Sequence, residues 1–249
     1  MAYATNNGVR IHYDVEGDGP PLLLHHGFSA SLESWRDSGY ISQLKHKFQL
    51  ILVDARGHGK SDKPQDPAAY GMQPRTGDVT AVLNDLNIER IHFMGYSMGG
   101  WVGFGMAIHE PDRLMSLTVG GNHAFGQELS IFRNLLQDGL EDWKAALEEM
   151  AGPMPEKSKE RFFNNDAAAL RAAVSNDRPD ISQHISDVAI PTLIYAGDQD
   201  PIYSLSRQTT ELFQNGAFFT VPGQNHIQTF YKRHLILSKA IPFWEEHQK

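Results

Sequence analysis

Cysteine is absent from the 249 residues of this sequence. Disulfide bonds, thiolate metal sites and a cysteine nucleophile are therefore excluded. An excess of positive charge is also missing, because 22 Lys and Arg stand against 30 Asp and Glu, giving a formal net charge of −8. Without clustered Lys and Arg, nucleic acid and anionic membranes are disfavoured as main partners. No apolar run approaches the ~20 residues of a membrane span.

The N-terminal stretch MAYATNNGVRIHYDVEG is polar and lacks the charged-then-apolar pattern of a secretory signal. Low-complexity tracts and internal repeats are missing as well. Hydrophobic residues make up 41% of the chain and charged residues 21%, a balance that allows a sizeable core. We expect a cytoplasmic protein, monomer or homodimer, whose partner is a small molecule.

Short apolar runs alternate with helix-like segments along most of the chain. The runs are PLLLHH, FQLILVD, RIHFMGY, LMSLTVGG, TLIYAGD and AFFTVPG, typical of strands covered by helices on both faces. Helices are predicted over 32–45, 76–86, 98–109, 203–214 and 227–244. An Asn-Gly turn predicts an antiparallel hairpin ahead of them. The pattern predicts an α/β fold with a doubly wound, mostly parallel sheet of eight strands.

Residues 122–187 break this alternation and contain no convincing strand pattern. ELSIFRNLLQDGLEDWKAALEEM places Ile131, Leu135 and Leu136 on one helical face, and KERFFNNDAAALRAAV predicts a second helical element. We interpret the region as an inserted helical cap. The expected organisation is a core over 1–121, the cap over 122–187 and the rest of the core over 188–249.

A serine follows one predicted strand and precedes a predicted helix within Gly95-Tyr96-Ser97-Met98-Gly99. The G-x-S-x-G pattern in this context predicts a nucleophile elbow. Such a turn holds the serine in a strained conformation, and side chains two residues away would collide across it. The turn also directs the Met98 amide toward the space faced by the hydroxyl. The alternative interpretation is a glycine-rich packing turn with an incidental serine.

Four motifs together resemble the α/β-hydrolase superfamily, in particular its serine esterases. They are HHGFSASLESW, DARGHGKSD, GYSMGG and GDQDPI…PGQNH, and their order and spacing match over essentially the whole chain except the cap. The resemblance implies that His226, after the last strand, is the catalytic base. It implies Asp200 as the acid, three residues after Gly197. Asp198 remains the alternative acid and is expected to hydrogen-bond the turn.

The resemblance further implies an oxyanion hole formed by the backbone N–H groups of Phe28 and Met98. In DARGHGKSD, we expect Asp54, Arg56 and Ser61 to organise a turn rather than to take part in chemistry. The adjacent histidines of HHG point to opposite faces of a strand, a poor arrangement for one metal ion. Neither a metal nor another cofactor is expected.

The predicted reaction is ester hydrolysis through a covalent intermediate. Ser97 attacks the carbonyl while His226 accepts its proton and Asp200 orients the imidazole. Dehalogenases and epoxide hydrolases of the superfamily have an aspartate where Ser97 stands, so the resemblance argues against them. Substrates with small to medium acyl chains are expected. Candidate pocket residues, for which ordinary packing is the alternative, are Trp101, Phe125, Phe132 and Trp143.

Other activities on the same machinery stay open. They include an enol-lactonase, a carbon–carbon hydrolase, a perhydrolase and a menaquinone-pathway lyase. In such lyases, GYSMGG is often followed by arginine; Trp101 stands there instead, so the expected contact with an anionic substrate is missing. HGFSAS…W also resembles small stress-regulator hydrolases, for which slow turnover and a protein partner would be expected.

Overall fold

A single β-sheet forms the centre of the structure, a computed structural model that describes residues 2–248. Its eight strands within these residues are β1 (Ala2–Asn6), β2 (Val9–Glu16), β3 (Pro21–His25), β4 (Gln49–Val53), β5 (Ile91–Tyr96), β6 (Leu114–Gly120), β7 (Thr192–Gly197) and β8 (Gly216–Val221). Their order across the sheet is β1-β2-β4-β3-β5-β6-β7-β8. Strand β2 is antiparallel to β1 and β4, and every other neighbouring pair is parallel. The predicted α/β class, mostly parallel sheet and N-terminal hairpin are confirmed.

The hairpin turn is explained by its two central residues. Asn7 and Gly8 have φ values of 49° and 83°, and a two-residue turn with both φ values positive matches the twist of antiparallel strands. Asn and Gly tolerate this left-handed region best. The turn sets the register in which Asn6 pairs with Val9.

Helices cover both faces of the sheet. They are α1 (Glu33–Asp37), α2 (Tyr40–Leu44), α3 (Met72–Asp85), α4 (Met98–His109), α5 (Ser130–Leu135), α6 (Glu141–Ala151), α7 (Glu156–Phe163), α8 (Ala167–Ala173), α9 (Ser182–Ile185), α10 (Tyr203–Leu212), α11 (His226–Phe230) and α12 (Arg233–Glu246). Two predicted helices are each broken in two. Gly39, with φ 78°, separates α1 from α2, and Lys232, with φ −87° and ψ 41°, lies between α11 and α12.

Side chains from the two faces of the strands form two separate cores. Leu23, Ile51 and Phe93 pack in the core that includes residues of α3 and α4. Neighbouring positions on the same strands point the other way, so Leu22 and Met94 belong to the core on the opposite face. Since the parallel strands share one direction, the loops after β3, β5, β7 and β8 meet at the same edge.

In the sequence, helices α5–α9 lie between β6 and β7. Residues from Leu129 to Val174, in and beside α5–α8, form a third hydrophobic cluster, whereas Ile185 of α9 packs in the first core. Leu136 and Trp143 are buried in this cluster, and Leu135 packs against it. Ile131 does not pack in this cluster as the predicted face implies, because it is 68% exposed. The helix that carries it has only six residues, so its periodic pattern is too short to fix a face. The terminal residues of the expected core segments, 1 and 249, lie outside the described residues.

Within residues 2–248, no helix combines the length and the apolar character needed to cross a membrane.

Candidate active site

The serine turn between β5 and α4 has a strained backbone. Ser97 has φ 52° and ψ −115°, outside the regions that non-glycine residues usually occupy. Glycine is required at positions 95 and 99 because neighbouring backbone atoms occupy the space that a side chain would need. A Cβ atom on Gly95 would lie 2.2 Å from the Gly99 oxygen, and one on Gly99 would lie 2.2 Å from the His25 oxygen. The backbone therefore leaves no room for a side chain two residues before or two residues after Ser97.

A chain of hydrogen bonds joins three side chains from three different loops. The Ser97 Oγ atom lies 3.0 Å from His226 Nε2, and His226 Nδ1 lies 2.7 Å from Asp200 Oδ2. The Asp200 side chain is 2% exposed, while that of His226 is 24% exposed. A carboxylate at Nδ1 fixes the tautomer in which Nε2 accepts a proton from the hydroxyl. The geometry is that of a nucleophile, a base and an orienting acid.

The structure separates the roles of the two aspartates after β7. The Asp200 amide donates to the Gly197 oxygen at 3.0 Å, and its Oδ1 atom accepts from the Ile202 amide at 3.1 Å. Asp198 is exposed, and its Oδ1 atom accepts from the Gly223 amide at 2.7 Å. Asp198 thus joins the loops after β7 and β8, while Asp200 faces the imidazole.

The imidazole is held by the start of α11 as well. Asn225 caps this helix, and with Gln228 it forms a reciprocal capping box. The Tyr96 hydroxyl donates to the His226 carbonyl oxygen at 2.5 Å. The Asn225 side-chain amide also donates to the Met150 oxygen of α6 at 2.7 Å, so α6 contacts the start of the helix that begins with His226.

The expected oxyanion donors have no internal acceptor. Among the described residues, neither the Phe28 amide nor the Met98 amide donates a hydrogen bond. The neighbouring Gly27 is close to the nucleophile, because a Cβ atom on it would lie 3.5 Å from the Ser97 Cβ atom. Two free amides beside the serine fit the requirement for binding a developing negative charge.

His26 anchors the loop that contains Phe28. Its Nε2 atom accepts from the Ala55 amide at 3.0 Å, which leaves Nδ1 to donate to the Gly27 oxygen at 2.7 Å. Burial lowers the pKa of His26 below its ordinary value, which favours the neutral ring with one donor and one acceptor. His26 therefore has a structural role in this loop.

Hydrogen bonds and a buried ion pair hold the turn after β4. The Asp54 carboxylate accepts from the Leu32 amide at 2.8 Å and lies 2.8 Å from His12 Nδ1. The Ser61 hydroxyl donates to the backbone oxygen of Asp54 at 2.6 Å. Arg56 forms a buried ion pair with Asp78. Burial alone would raise the pKa of Asp54, but the hydrogen bond with His12, the nearby His26 and the amides of Lys60 and Leu32 bring it below its ordinary value.

A cavity of about 1240 Å³ lies over the serine. Its lining includes Ser97, Asp200, His226 and the aromatic side chains of Phe28, Trp101, Phe132 and Trp143. The expectation for Phe125 is wrong, because this residue is not in the lining; its ring instead lies 6.2 Å from that of His123. In the part of the chain that is described, no group of three or more His, Asp or Glu side chains is arranged to hold a metal ion.

Three arginines that sequence analysis did not single out also line the cavity, and one of them, Arg161, is paired with Asp37. Arg75 lies in α3, and Arg178 lies in the cap. Helical spacing offers a signal for Arg75, because it shares the buried face of α3 with Val79 and Val82. Arg178 has no comparable signal. The Arg178 guanidinium lies 5.2 Å from the Trp101 ring. A cation is therefore present next to Trp101, although the sequence has no arginine at position 101 itself.

A family model described as the alpha/beta hydrolase fold matches residues 20–150. The chain belongs to the α/β-hydrolase family. A Bacillus subtilis (strain 168) protein provisionally named 2-succinyl-6-hydroxy-2,4-cyclohexadiene-1-carboxylate synthase is 24% identical over 252 residues, covering 89% of each chain. The 3-oxoadipate enol-lactonase 2 of Acinetobacter baylyi (strain ATCC 33305 / BD413 / ADP1) is 27% identical over 225 residues, covering 81% of this hydrolase and 80% of the lactonase. The structure of a thermophilic esterase from Thermogutta terrifontis matches with a TM-score of 0.85 at 21% identity, covering 100% and 99% of the two chains.

Proposed function

We propose that this α/β hydrolase cleaves carboxylic esters of small to medium acyl chain through an acyl-enzyme intermediate. The observation that carries the proposal is the hydrogen-bonded chain from Ser97 through His226 to Asp200, which opens into the cavity. A serine hydroxyl is a weak nucleophile unless a base accepts its proton. The 3.0 Å contact supplies that base without rearrangement.

Acylation begins when the Ser97 oxygen attacks the ester carbonyl carbon and its proton moves to His226 Nε2. The Asp200 carboxylate stabilises the imidazolium that forms. The Phe28 and Met98 amides donate to the tetrahedral oxygen, and each donor of this kind is worth about 3 kcal/mol in the transition state. The imidazolium then returns its proton to the leaving alcohol.

Deacylation repeats these steps with water as the nucleophile. His226 accepts a proton from the water, and the acyl–Ser97 bond breaks to release the carboxylic acid. The aromatic lining of the cavity supports an apolar acyl chain. The named lactonase relative also favours this class, because an enol-lactone is a cyclic ester.

The test is a panel of methyl and p-nitrophenyl esters from acetate to decanoate, assayed with wild type and Ser97→Ala. Wild type is expected to hydrolyse the shorter esters, and the variant is expected to lose turnover while keeping its melting temperature. Mass spectrometry after rapid quenching should find the acyl adduct on the peptide that contains Ser97. Turnover by the folded Ser97→Ala protein would refute the proposal.

A lyase acting on an anionic substrate is the second candidate function. The position of Arg178 against Trp101 favours it, because an arginine in this place provides a contact for a substrate carboxylate. The acyl adduct separates the two candidates. Elimination needs the base but forms no ester with Ser97, so turnover of an anionic substrate without any adduct would support the lyase.

A further inference from the structure

Two arginines of the cavity have no carboxylate partner among the described residues. Arg75 and Arg178 both line the space over Ser97, and neither takes part in an ion pair there. Other arginines of this chain differ in this respect. Arg56 pairs with Asp78, and Arg133 pairs with Asp177 at 2.8 Å.

Arg75 is held rigidly beneath the nucleophile turn. Arg75 is only 4% exposed. Its Nε atom donates to the backbone oxygen of Tyr70 at 2.9 Å, and its Nη1 atom lies 3.0 Å from Met98 Sδ. The guanidinium also lies 5.2 Å from the centre of the Tyr70 ring. These hydrogen-bond and ring partners are neutral, and the nearby Asp78 carboxylate, which acts on Arg75 through its charge, is already paired with Arg56.

Arg178 reaches the same region from the cap. Its Nη1 atom donates to Gln127 Oε1 at 2.9 Å, and its guanidinium lies 5.2 Å from the Trp101 ring. The Trp101 amide donates to the Ser97 oxygen at 3.2 Å. Arg75 and Arg178 therefore each contact a residue in the first turn of α4, within four positions of the nucleophile.

The electrostatic environment of Arg75 and Arg178 favours the binding of an anion. Burial lowers the pKa of Arg178 to about 9, and the Arg75 charge contributes in the same direction. Burial likewise lowers the pKa of Arg75 to about 10. Arg75 is buried and Arg178 is half-buried; holding two like charges in such positions without an ion-pair partner is costly, and a bound carboxylate would offset that cost.

We propose that the natural substrate is an ester that also carries a free carboxylate, and that Arg75 and Arg178 bind this carboxylate. The inference rests on the proposed ester hydrolysis and specifies its substrate class. Guanidinium groups are well suited to the role, because their planar N–H groups match both oxygens of a carboxylate. A neutral ester of the same length would leave both cations unpaired.

The test compares pairs of methyl esters that differ only in charge. One member is the monomethyl ester of succinic, glutaric or adipic acid, and the other has a carboxamide in place of the free carboxylate. For at least one length, wild-type kcat/KM should favour the acid by about tenfold or more, since hydrogen bonds between charged groups are strong. Arg178→Gln should reduce this preference to less than about threefold, and Arg178→Lys should retain part of it because the charge remains.

Arg133→Gln is the matched control. It removes a guanidinium from the same cap, but one that already pairs with Asp177 and does not line the cavity. The acid preference should remain in this variant. A binding measurement with Ser97→Ala provides a second readout, in which the monomethyl glutarate should raise the melting temperature more than its carboxamide.

The possible failures are distinguishable. Equal rates on acid and amide esters in wild type would overturn the assignment of Arg75 and Arg178 while leaving ester hydrolysis intact. An acid preference that survives in Arg178→Gln would also overturn it. If the folded wild type hydrolyses no ester of the panel, the proposed function fails and the substrate assignment fails with it.

Discussion

Replacing Asp200 by asparagine tests the contact on which the candidate mechanism depends most directly. The carboxylate lies 2.7 Å from His226 Nδ1 and is 2% exposed. Asparagine preserves the size of the side chain but removes its charge. It can also turn its NH₂ group toward the ring, which would stabilise the tautomer that has its proton on Nε2. That tautomer cannot accept the proton of Ser97.

The size of the effect follows from the same distance. Two opposite unit charges separated by 2.7 Å attract by roughly 6 kcal/mol at an effective dielectric constant of about 20. This attraction develops only when His226 becomes an imidazolium, so it stabilises the transition state rather than the resting enzyme. A loss of about 10⁴-fold in kcat, or about 5.5 kcal/mol, is expected, as in other Ser-His-Asp triads.

The assay is steady-state hydrolysis of the best ester from the panel, with Asp198→Asn as the matched control. Both substitutions remove one negative charge from the same loop. Asp198 is exposed and contacts only the Gly223 amide, so its variant should retain kcat within about threefold and lose about 1 kcal/mol of stability. Circular dichroism and thermal unfolding would establish that both variants fold.

An Asp200→Asn enzyme that keeps more than about one tenth of the wild-type kcat would refute the assignment, because the buried carboxylate would then be unnecessary for proton transfer. A large loss in Asp198→Asn with little change in Asp200→Asn would transfer the acid role to Asp198. Equal losses in both would indicate that the loop, rather than one carboxylate, sets the activity.

Three further predictions concern the support of the site. Trp143→Phe removes the hydrogen bond from Nε1 to Ser29 Oγ at 2.8 Å, and should cost about 1 kcal/mol of unfolding free energy in urea and lower kcat/KM several-fold, because Ser29 follows the Phe28 loop. Gly99→Ala places a Cβ atom 2.2 Å from the His25 oxygen and should lower stability by about 3 kcal/mol or prevent folding, measured by thermal unfolding. Burial lowers the pKa of His25 to about 3 and that of His92 to about 4 in the folded protein. As the pH falls below 6.5, both histidines therefore become protonated in the unfolded chain while they are still neutral in the folded protein. The unfolding free energy should therefore fall by about 1.4 kcal/mol per histidine for each pH unit between 6.5 and 4, measured by urea denaturation at several pH values.

Each of these predictions has its own control. Gly71→Ala introduces a Cβ atom whose nearest neighbour is at 3.7 Å, so it should be well tolerated, and equal damage from both glycine variants would contradict the spatial argument. For Trp143, a Ser29→Ala variant should reproduce the loss, and the double variant should add little to it. His92→Gln should weaken the pH dependence; an unfolding free energy that is constant from pH 7.5 to pH 5 would contradict the histidine argument.

Those parts of the site that depend on local spacing could be predicted from sequence. The glycines around Ser97 have a steric cause that acts over four residues, and the choice of Asp200 over Asp198 follows from a turn that begins at Gly197. The Asn-Gly hairpin is equally local. In each case, the residue type is dictated by the backbone that immediately surrounds it.

Features set by contacts distant in sequence were missed. Phe125 was placed in the pocket for its residue type alone, but the path of the chain out of β6 takes it elsewhere. From sequence, Trp101 implies that a cation is missing at this position, but Arg178, 77 positions further along the chain, places its guanidinium 5.2 Å from the Trp101 ring. No sequence pattern within one helix or loop predicts such a contact, because the contact depends on how the segment that contains Arg178 packs against α4.

The position of the two cavity arginines also determines which kinetic constant a substrate carboxylate should affect. The carboxylate carries the same charge before and during attack at the ester carbonyl, so its contacts with Arg75 and Arg178 are equal in the ground and transition states. Binding energy of this uniform kind lowers KM and leaves kcat nearly unchanged. Comparison of the acid and amide esters should therefore show the difference in KM, as should comparison of wild type with Arg178→Gln. A difference confined to kcat would mean that a guanidinium acts on the developing oxyanion instead. The contact of Arg75 with Met98, whose amide is one of the two proposed donors, would provide the route.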